Sequence, residues 1–415
     1  MSSITFANLG LAEPLLRALD RERFLQPTPI QASAVPPLLQ GRDLLGVAQT
    51  GTGKTAAFAL PMLQHLAANP TQPHRYATRA LILAPTRELA LQIEDHLRRL
   101  GGDLKQRTVA ILGGMSRSMQ VQRMRGGVDI VVGTPGRICD LMATGELKLN
   151  EVRHFVLDEA DRMLDLGFIR DIRRIVAALP VNRQSALFSA TMPTDVGKLA
   201  ETLLRNPVRV EIARAVSGDL PIRQHVHFVD PAAKRALLGR LLADPAMSRV
   251  IVFTRTKRGA DRVAETLDMG GVQVSAIHGN KSQPARQKAL ERFRSGRARV
   301  LVATDIAARG IDVTGISHVI NFDLPAQPED YVHRIGRTAR AGASGVAISF
   351  CDAAEHGTLR AIERMTGVTI DVAGGSPPTA QPQQPRQATK STPAHRPSNW
   401  RQQGSRRRTG YRPAA

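Results

Sequence analysis

The sequence predicts an α/β fold: two tandem domains, each a mostly parallel β-sheet with helices on both faces, followed by a disordered basic C-terminal tail. Two observations predict the sheets. Short apolar runs alternate with stretches in which apolar residues recur every three or four positions, as in amphipathic helices. The alternation then restarts after the polar segment 213–221. Because continuous apolar strands between helices are typical of parallel sheets covered on both faces, we expect one such sheet on each side of that segment.

Short apolar runs on both sides of the polar segment are predicted strands. Segments between them, such as 86–100 and 167–179, have the spacing of amphipathic helices. The predicted strands cover 43–48, 80–84, 108–112, 129–132, 154–158 and 186–190, then 224–229, 250–254, 273–277, 299–304, 318–322 and 345–350.

The chain is predicted to divide into four segments. Its 415 residues suffice for two or three domains, and a hydrophobic content of 42% supplies more than one core. We expect a first domain at 1–212, a linker at 213–221, a second domain at 222–372 and a tail at 373–415.

The charge of the chain is strongly positive, with a net charge of +21. Residues 376–415 contain Lys and Arg but no Asp or Glu, and the rest of the chain is basic as well. A polyanionic partner is therefore predicted, with nucleic acid favoured over a membrane surface.

The C-terminal tail is rich in Pro, Gln, Ser and Arg and has almost no aliphatic residues. Such a segment cannot bury enough apolar surface to offset the entropy of ordering, so we predict disorder. It could serve only as a solubilising tail, or as an electrostatic RNA tether in which Trp400 and Tyr411 stack on bases. We favour the tether.

Membrane and disulfide signals are absent from the sequence. No run of about 18 apolar residues occurs, and the first residues lack the pattern of a signal peptide. Cys139 and Cys351 are the two cysteines, and they form no CxxC or metal-ligand pattern. We expect free thiols, a cytoplasmic location and no membrane partner.

A glycine-rich segment, AQTGTGKT, begins at Ala48 and lies between a predicted strand and a predicted helix. Gly51 and Gly53 let the backbone turn its N–H groups towards phosphate oxygens. Lys54 would reach the β- and γ-phosphates, and Thr55 would bind Mg²⁺. Ala48 stands where the P-loop pattern usually has its first glycine. A chance glycine-rich turn is the alternative, which the strand–loop–helix context disfavours.

An apolar strand ends in carboxylates at Asp158 and Glu159, within FVLDEAD. At the carboxyl edge of a parallel sheet, Asp158 can hold Mg²⁺ while Glu159 orients or deprotonates a water molecule. Asp158 could instead be an ordinary helix N-cap. The P-loop upstream favours the hydrolytic interpretation.

The segment FLQPTPIQ precedes the P-loop. Gln31 could pair with the N6/N7 edge of adenine, and Phe24 could stack on the base. Taken alone, the segment is better explained as a Pro-rich loop with a core phenylalanine.

The segment HRIGRTARAG carries Arg334, Arg337 and Arg340 at a spacing of three, without an acidic residue. We expect the three guanidinium groups to crowd one side of a helix, where like charges repel. The negative charge that favours this arrangement must therefore come from elsewhere.

These segments, in this order, resemble the motifs of DEAD-box RNA helicases. The resemblance covers residues 6 to about 370, and QHVHFVD and HGNKSQ resemble the bacterial RhlE-type branch. The ordered set comprises PTPIQ 27–31, AQTGTGKT 48–55, PTREL 85–89, GG 113–114, TPGR 134–137, DEAD 158–161, SAT 189–191, ATDIAARGID 303–312 and HRIGRTAR 333–340.

The resemblance implies two RecA-like domains that close over ATP, Mg²⁺ and single-stranded RNA. The implied nucleotide-binding residues are Phe24, Gln31, Thr50, Gly51, Thr52, Gly53, Lys54, Thr55, Gly310 and Asp312, with Phe6 as the upstream aromatic residue; Thr55 and Asp158 would bind the metal.

The resemblance also implies catalytic and coupling residues. Arg337 and Arg340 match arginines that meet the γ-phosphate, and His333 matches a residue that links the second domain to the first. The implied catalytic set is Lys54, Asp158, Glu159, His333, Arg337 and Arg340, and Asp161, Ser189, Thr191 and Asp305 would couple hydrolysis to RNA binding. A solvated basic helix that binds RNA phosphates is the alternative for the arginines.

The implied RNA contacts are short hydrogen-bond donors, glycines and arginines. Because aromatic residues make up only 4% of the chain, we expect backbone binding without sequence preference. The residues are Pro85, Thr86, Arg87, Gly114, Thr134, Gly136 and Arg137, then Arg255, Gly279, Gln283, Arg286 and Thr304.

The function that the resemblance implies is an ATP-dependent RNA helicase or remodelling enzyme. An ATP-latched RNA clamp with little hydrolysis and a DNA helicase are the alternatives. Ribosomal particles and RNA-decay proteins are candidate partners. Ala339 and Arg23 replace glycines that are common in the family, and we expect either to alter nucleotide affinity.

Overall fold

The computed structural model describes residues 4–49, 51–212, 222–308, 313, 315–339 and 344–376. Within these ranges, short 3₁₀ helices occur at Phe6–Leu9 and Gly102–Leu104. The strands are β1 Leu44–Val47, β2 Thr78–Leu83, β3 Thr108–Ile111, β4 Val128–Gly133, β5 His154–Leu157, β6 Gln184–Ser189, β7 Val208–Glu211, β8 Ile222–Phe228, β9 Val250–Phe253, β10 Val274–Ile277, β11 Val300–Ala303, β12 His318–Asn321, β13 Gly345–Cys351 and β14 Asp371–Gly374.

The helices that cover these strands follow the same alternation. They are α1 Glu13–Arg21, α2 Pro29–Leu39, α3 Lys54–Ala68, α4 Arg87–Leu100, α5 Arg117–Met124, α6 Pro135–Ala143, α7 Ala160–Asp165, α8 Ile169–Ala177, α9 Thr194–Leu203, α10 Lys234–Leu242, α11 Lys257–Met269, α12 Gln283–Arg294, α13 Asp305–Ala308, α14 Pro328–Ile335 and α15 His356–Thr366.

The strands form two seven-stranded sheets in which every pairing is parallel. We call the part built on β1–β7 the first lobe and the part built on β8–β14 the second lobe. The first sheet has the order β3-β4-β2-β5-β6-β1-β7, and the second has β10-β11-β9-β12-β13-β8-β14. The second order repeats the first strand for strand, so equivalent strands can be compared directly.

Each sheet is buried on both faces. Along β2, Ala80 and Ile82 belong to one apolar core, whereas Leu81 belongs to another on the opposite face. Along β9, Val252 and Ile251 divide in the same way. Side chains alternate across a strand, so a continuous apolar run supplies two cores at once. The predicted α/β class with two parallel sheets is confirmed.

All the predicted strands are present, but β7 and β14 were not predicted. Both lie at a sheet edge and carry charged or exposed residues, so they lack the continuous apolar run of a central strand. β14 pairs with β8 and extends past residue 372, where the second domain was predicted to end. The predicted linker 213–221 and the tail beyond 376 lie outside the described residues.

No helix in the described ranges has the length and apolarity needed to cross a membrane. Cys139 and Cys351 are both buried and free, as expected. Burial raises the pKa of the Cys139 thiol to about 11 and that of the Cys351 thiol to about 12. Both sulfurs are therefore protonated and unreactive at neutral pH.

Candidate functional site

The motif residues gather at the carboxyl ends of the strands. In parallel sheets these ends meet at one edge, where ligands bind in open α/β folds. The first lobe places the P-loop after β1, the DEAD segment after β5 and the SAT segment at the end of β6. Since β5, β6 and β1 are neighbours in the sheet, these three segments adjoin.

The P-loop adopts a compact turn before α3. Gly51 and Gly53 have φ of +86° and +94°, a region that favours glycine. The buried Lys54 donates from Nζ to the carbonyl oxygen of Ala48 at 2.8 Å, and Thr52 Oγ1 donates to the carbonyl of Gln49 at 2.8 Å. Thr55 is half-buried and is the second residue of α3, after Lys54. The lysine therefore lies across the loop that would hold the phosphates.

Gln31 packs directly against the P-loop. Its Nε2 donates to the carbonyl of Gly53 at 3.1 Å, and its Oε1 accepts from the Thr28 backbone N–H at 3.0 Å. A Cβ on Gly53 would lie 2.3 Å from Gln31 Nε2, so the contact requires glycine there. Thr28 and Gln31 also form a capping box at the start of α2. The 1% exposed Gln31 therefore both caps this helix and contacts the P-loop.

Phe24 is half-buried and contacts the buried Phe6 edge-on, with ring centroids 6.5 Å apart. Both rings border the apolar core under α2 and α3. Phe24 therefore both packs on the core and keeps an exposed part beside the Gln31 segment.

Asp158 follows β5 and is 2% exposed. Burial raises the pKa of its carboxyl to about 7, against the charge of Lys54. Among the described residues, its Oδ1 accepts one hydrogen bond, from the backbone N–H of Glu159 at 3.0 Å. A buried carboxylate with few hydrogen-bond donors around it favours binding of a cation that arrives together with a ligand.

Glu159 has φ of +56°, which is strained for a residue with a side chain. It is 7% exposed and precedes α7. Strain of this kind persists where the surrounding fold fixes the backbone, and it is common at functional sites.

Asp161 joins the DEAD segment to the SAT segment. Its Oδ2 accepts from the backbone N–H groups of Ala190 and Thr191 at 3.2 and 2.9 Å, and from Thr191 Oγ1 at 2.8 Å. Ser189 Oγ accepts from the Asp161 N–H and donates to the Thr191 carbonyl. Three of the four predicted coupling residues are thus brought together.

His333 of the second lobe approaches this cluster. Burial lowers the pKa of its imidazole, while the nearby charges of Asp161 and Glu159 act to raise it and that of Arg337 to lower it. Arg337 is 5% exposed, and its Nε donates to the His333 carbonyl at 3.3 Å. The two lobes therefore meet beside the DEAD carboxylates.

The expectation that three arginines crowd one side of a helix is wrong. α14 ends at Ile335, so Arg337 follows the helix. Arg334 turns into the lobe and is 2% exposed. Its guanidinium donates to both carboxylate oxygens of Asp305 at 2.6 and 2.8 Å and lies 5.0 Å from the Phe253 ring centroid. The negative charge that neutralises Arg334 therefore comes from its own lobe.

Asp305, the fourth predicted coupling residue, has its carboxylate held by Arg334. Four further predicted residues, Thr50, Gly310, Asp312 and Arg340, lie outside the described residues.

The residues at the P-loop fit a nucleoside triphosphate with its cation. The loop combines two glycines whose positive φ values favour glycine with the buried Lys54 ammonium. The described residues contain no group of three or more His, Cys, Asp or Glu that could hold a metal unaided. Mg²⁺ usually binds through one or two carboxylates together with substrate phosphates, and Asp158 supplies one buried carboxylate at this place.

The predicted RNA contacts of both lobes meet around Glu88, which is 4% exposed. Glu88 Oε1 accepts from Gln283 Nε2 at 3.2 Å, and its Oε2 lies 2.9 Å from Arg286 Nη2. Arg87 Nη1 donates to Gln283 Oε1 at 3.4 Å. The Arg87 guanidinium covers Gly114, where a Cβ would lie 2.4 Å from its Nη1. Burial and the charge of Arg286 lower the pKa of Arg87, as expected for cations gathered without enough anions.

Other predicted RNA contacts occupy equivalent strand ends in the two lobes. Pro85, Thr86 and Arg87 follow β2, as Arg255 follows β9; Gly114 follows β3, as Gly279 follows β10; Thr134, Gly136 and Arg137 follow β4, as Thr304 follows β11. In both lobes, therefore, the predicted RNA contacts form a row along the carboxyl ends of the strands.

Sequence reasoning gave no role to several residues at these edges. Glu88 belongs to the PTREL segment, where a single acid among predicted RNA contacts was the available signal. Glu355 had no such signal, yet it pairs with the Arg255 guanidinium and accepts from the buried Lys234 Nζ at 2.7 Å. Asp323 Oδ2 accepts from the Arg255 N–H at 2.8 Å.

A two-lobed fold with a P-loop in one lobe and an apposed basic segment in the other defines a helicase core. Residues 28–199 match the family model DEAD/DEAH box helicase, and residues 233–342 match the helicase conserved C-terminal domain. The chain belongs to the DEAD-box ATP-dependent RNA helicases.

Curated relatives agree with this assignment. The DEAD-box ATP-dependent RNA helicase CshA of Geobacillus kaustophilus is 44% identical over 87% of this chain and 76% of its own length. The helicase of the same name from Bacillus subtilis is 42% identical over 89% of this chain and 74% of its own. These relatives are named CshA, a different branch, so the predicted RhlE-type placement is not confirmed.

Solved structures of the family share the fold of this chain. Dbp5 of S. cerevisiae bound to RNA and ADP BeF3 is 35% identical, covers 89% of this chain and 95% of its own, and gives a TM-score of 0.79. A variant of Dbp5 bound to nup159, a gle1 variant, ip6 and adp is 33% identical, covers 88% of this chain and 96% of its own, and gives a TM-score of 0.60.

Proposed function

We propose that this chain binds single-stranded RNA through its backbone without sequence preference and couples RNA-stimulated ATP hydrolysis to local unwinding of short duplexes or remodelling of RNA–protein complexes. The observation that carries the proposal is the meeting of both lobes at the DEAD carboxylates. The second lobe supplies His333 and Arg337, and the first supplies Glu159 and Asp161. Chemistry at this place therefore depends on how the lobes are arranged.

In the proposed mechanism, Lys54 and the P-loop N–H groups hold the triphosphate, and Gln31 reads the adenine next to the loop it braces. Thr55 and Asp158 would hold Mg²⁺, which neutralises phosphate charge when bound. Glu159 orients or deprotonates the attacking water. Arg337, with Arg340, stabilises charge on the γ-phosphate, a role that contributes ~10³–10⁵ in rate in related enzymes.

Coupling to RNA follows from shared closure. Glu88 holds Gln283 and Arg286 when the lobes are together, and Arg87 lies beside them. RNA phosphates bound along both sheet edges would favour the same arrangement as ATP, so each ligand would promote binding of the other. Asp161, bonded to Thr191, would transmit the state of the nucleotide to this surface.

Several finer assignments belong to the same proposal. The domain boundaries at 212 and 222, the linker between them and the RNA tether in the tail are proposed from composition. A cytoplasmic location and ribosomal or RNA-decay partners are proposed from the family and from the two free thiols. The RhlE-type branch is retained only as a hypothesis from QHVHFVD and HGNKSQ.

The decisive experiment measures phosphate release with and without single-stranded RNA for the wild type and Glu159→Gln. We expect RNA to stimulate the wild type and the variant to bind RNA and ATP with little turnover. Glu265→Gln, an exposed acid on α11, is the matched control. A wild type with the variant's low turnover would favour the ATP-latched clamp, and equal stimulation by DNA of the same length would favour a DNA helicase.

A further inference from the structure

A row of arginines lies at the amino ends of strands of the first sheet, on the side opposite the nucleotide site. Arg42 precedes β1, Arg153 precedes β5, Arg183 precedes β6 and Arg205 precedes β7. These strands are contiguous in the order β5-β6-β1-β7. At a strand spacing of about 4.8 Å the row extends over roughly 14 Å, longer than a single phosphate group.

The arginine row lines an open cavity of about 500 Å³. Asp43 is the one acidic residue among those lining the cavity. Its Oδ1 accepts from the Ser185 N–H and its Oδ2 from the Arg205 N–H, both at 2.7 Å. The Asp43 carboxylate is 6% exposed, and it bonds to these backbone N–H groups rather than to the guanidinium groups of the row.

The guanidinium groups of the row have weak or neutral partners among the described residues. Arg183 Nη1 donates to the Pro180 carbonyl at 2.7 Å, and Arg205 Nη2 donates to the Arg183 carbonyl at 2.7 Å. Arg183 Nε is buried without a partner. Burial and the charge of Arg205 lower the pKa of Arg183. Cations held together around neutral acceptors are what an anion-binding surface requires.

The fold itself does not demand this row. The second sheet has the same strand order, and the residues at the same offsets before the equivalent strands β12, β13 and β14 are Ser317, Ser344 and Val368. The second lobe therefore lacks arginines at these three positions, although Arg249 precedes β9 and Arg299 precedes β11. The run of arginines before four contiguous strands is thus a feature of the first lobe's sequence rather than of the repeated fold.

We propose that the arginine row binds phosphates of RNA that flank the strand held between the lobes. The row has four guanidinium groups and one carboxylate, which is already bonded to backbone N–H groups. Its net positive charge favours binding of several successive phosphates, and RNA is the polyanion that this family of enzymes binds. A longer RNA would contact both edges of the first lobe and be held beside the duplex to be opened. The inference rests on the proposed function only in taking RNA as the source of the phosphates.

The test uses the full chain with Arg42→Gln/Arg153→Gln. Both side chains are exposed, and Arg153 makes no side-chain hydrogen bond or ion pair with another described residue. The matched control is Arg262→Gln/Arg297→Gln, which removes two exposed charges from the second lobe. Fluorescence anisotropy measures binding of uridine oligomers of six and thirty nucleotides, with a non-hydrolysable ATP analogue, across a salt series.

We expect the row variant to weaken binding of the thirty-mer about fivefold or more. Its salt slope should fall by about 1.4, because each of the two arginine–phosphate interactions removed contributes ~0.7 on a single strand. Six-mer binding should match the wild type, because the six-mer fills only the site between the lobes. Thirty-mer affinity equal to that of the control variant would overturn the proposal. Failure of the wild type to bind the six-mer would instead refute the proposed function.

Inorganic tripolyphosphate distinguishes a small phosphate ligand from RNA. The probe is the melting temperature in a Lys54→Ala background, which weakens phosphate binding at the P-loop. Stabilisation by tripolyphosphate that requires Arg42 and Arg153, with thirty-mer affinity unchanged, would overturn RNA as the ligand. Competition between tripolyphosphate and the thirty-mer, lost in the row variant, would support it.

Discussion

The two lobes have one strand order but use their strand ends differently. After β5 the first lobe places Asp158, which has little besides Lys54 and a backbone N–H to neutralise it. After the equivalent β12 the second lobe places Asp323, which accepts from the Arg255 N–H and lies 3.8 Å from the Lys234 ammonium. Among the described residues, the first lobe thus leaves this carboxylate with few partners, whereas the second pairs the equivalent carboxylate within its own structure.

The same contrast holds for cations. Among the described residues, the Lys54 ammonium of the first lobe hydrogen-bonds to a backbone carbonyl, while the second lobe pairs Arg334 with Asp305 and Arg255 with Glu355. A repeated fold therefore supplies equivalent positions, and the pairing of charges decides which of them remain available for chemistry. We propose that the first lobe holds the ligand and that the second lobe delivers one charged segment to it.

The largest expected effect is at Arg337. If the second lobe delivers a cation to the γ-phosphate, Arg337→Ala should reduce RNA-stimulated turnover by ~10³-fold or more. ATP affinity should change little, because the P-loop is intact. Steady-state phosphate release and fluorescent-nucleotide binding measure the two effects. Arg258→Ala, which removes an exposed arginine of the same lobe, is the control. Arg337→Lys keeps the positive charge and serves as a second variant in case Arg337→Ala does not fold.

Next in size is the junction between the lobes. Glu88→Gln removes the charge that pairs with Arg286 and weakens the contact with Gln283. The coupling between ATP and RNA binding should fall by about 1–3 kcal/mol, or 5–150-fold, in the range typical of such couplings. RNA affinity with and without an ATP analogue measures it. An unchanged ratio of these affinities would show that Glu88 only packs α4.

The pH dependence of Mg²⁺–ATP binding should reveal Asp158. Its carboxyl has a pKa of about 7 in the free protein, so the group is protonated below that pH, whereas metal binding needs the ionised form. Affinity should therefore fall by up to ~10-fold for each pH unit below 7, since one proton must be released. Titration calorimetry in buffers of different ionisation enthalpy would detect that proton. Binding without proton release would contradict the burial argument.

The Asp158 carboxyl also affects the stability of the fold, and its effect on stability has the opposite sign to that of an acid paired with a cation. Because its folded-state pKa is raised above the unfolded value of 3.8, the folded state binds the extra proton, and this group destabilises the fold as the pH rises from about 4 to 7. Asp158→Asn should therefore raise the melting temperature at pH 7.5 and abolish Mg²⁺-dependent ATP binding. The gain should vanish near pH 4. Asp323→Asn in the second lobe should instead lower the melting temperature, because it breaks a neutralised network.

The smallest expected effect comes from two non-glycine residues with left-handed backbone, one in each lobe. Arg23 has φ of +59° and Ala339 has φ of +53°. Arg23→Gly and Ala339→Gly should each stabilise the protein by about 1 kcal/mol, since glycine adopts this region without strain. Chemical denaturation measures the change. Destabilisation in either lobe would mean that the side chain makes compensating contacts.

Much of the fold and the site was predictable because local patterns carry it. The apolar runs around 80–84 and 300–303 mark central strands, and the P-loop and DEAD segments lie where such strands end. The edge strand β14 was not predictable, because an exposed strand needs no apolar pattern. The side-chain pairing of Arg334 was missed because its spacing with Arg337 suggested a shared face, whereas the helix ends between them.

The sequence by itself determined the element types, the two-lobed α/β class and the order of the chemistry-bearing segments, since each depends on neighbouring residues. The tertiary structure alone decided that Arg334 is neutralised within its lobe, that Glu88 bridges to Gln283, and that four arginines line one edge of the first sheet. Such contacts join residues far apart in the chain, and the free energy of burying a charge depends on the partner that the fold places beside it.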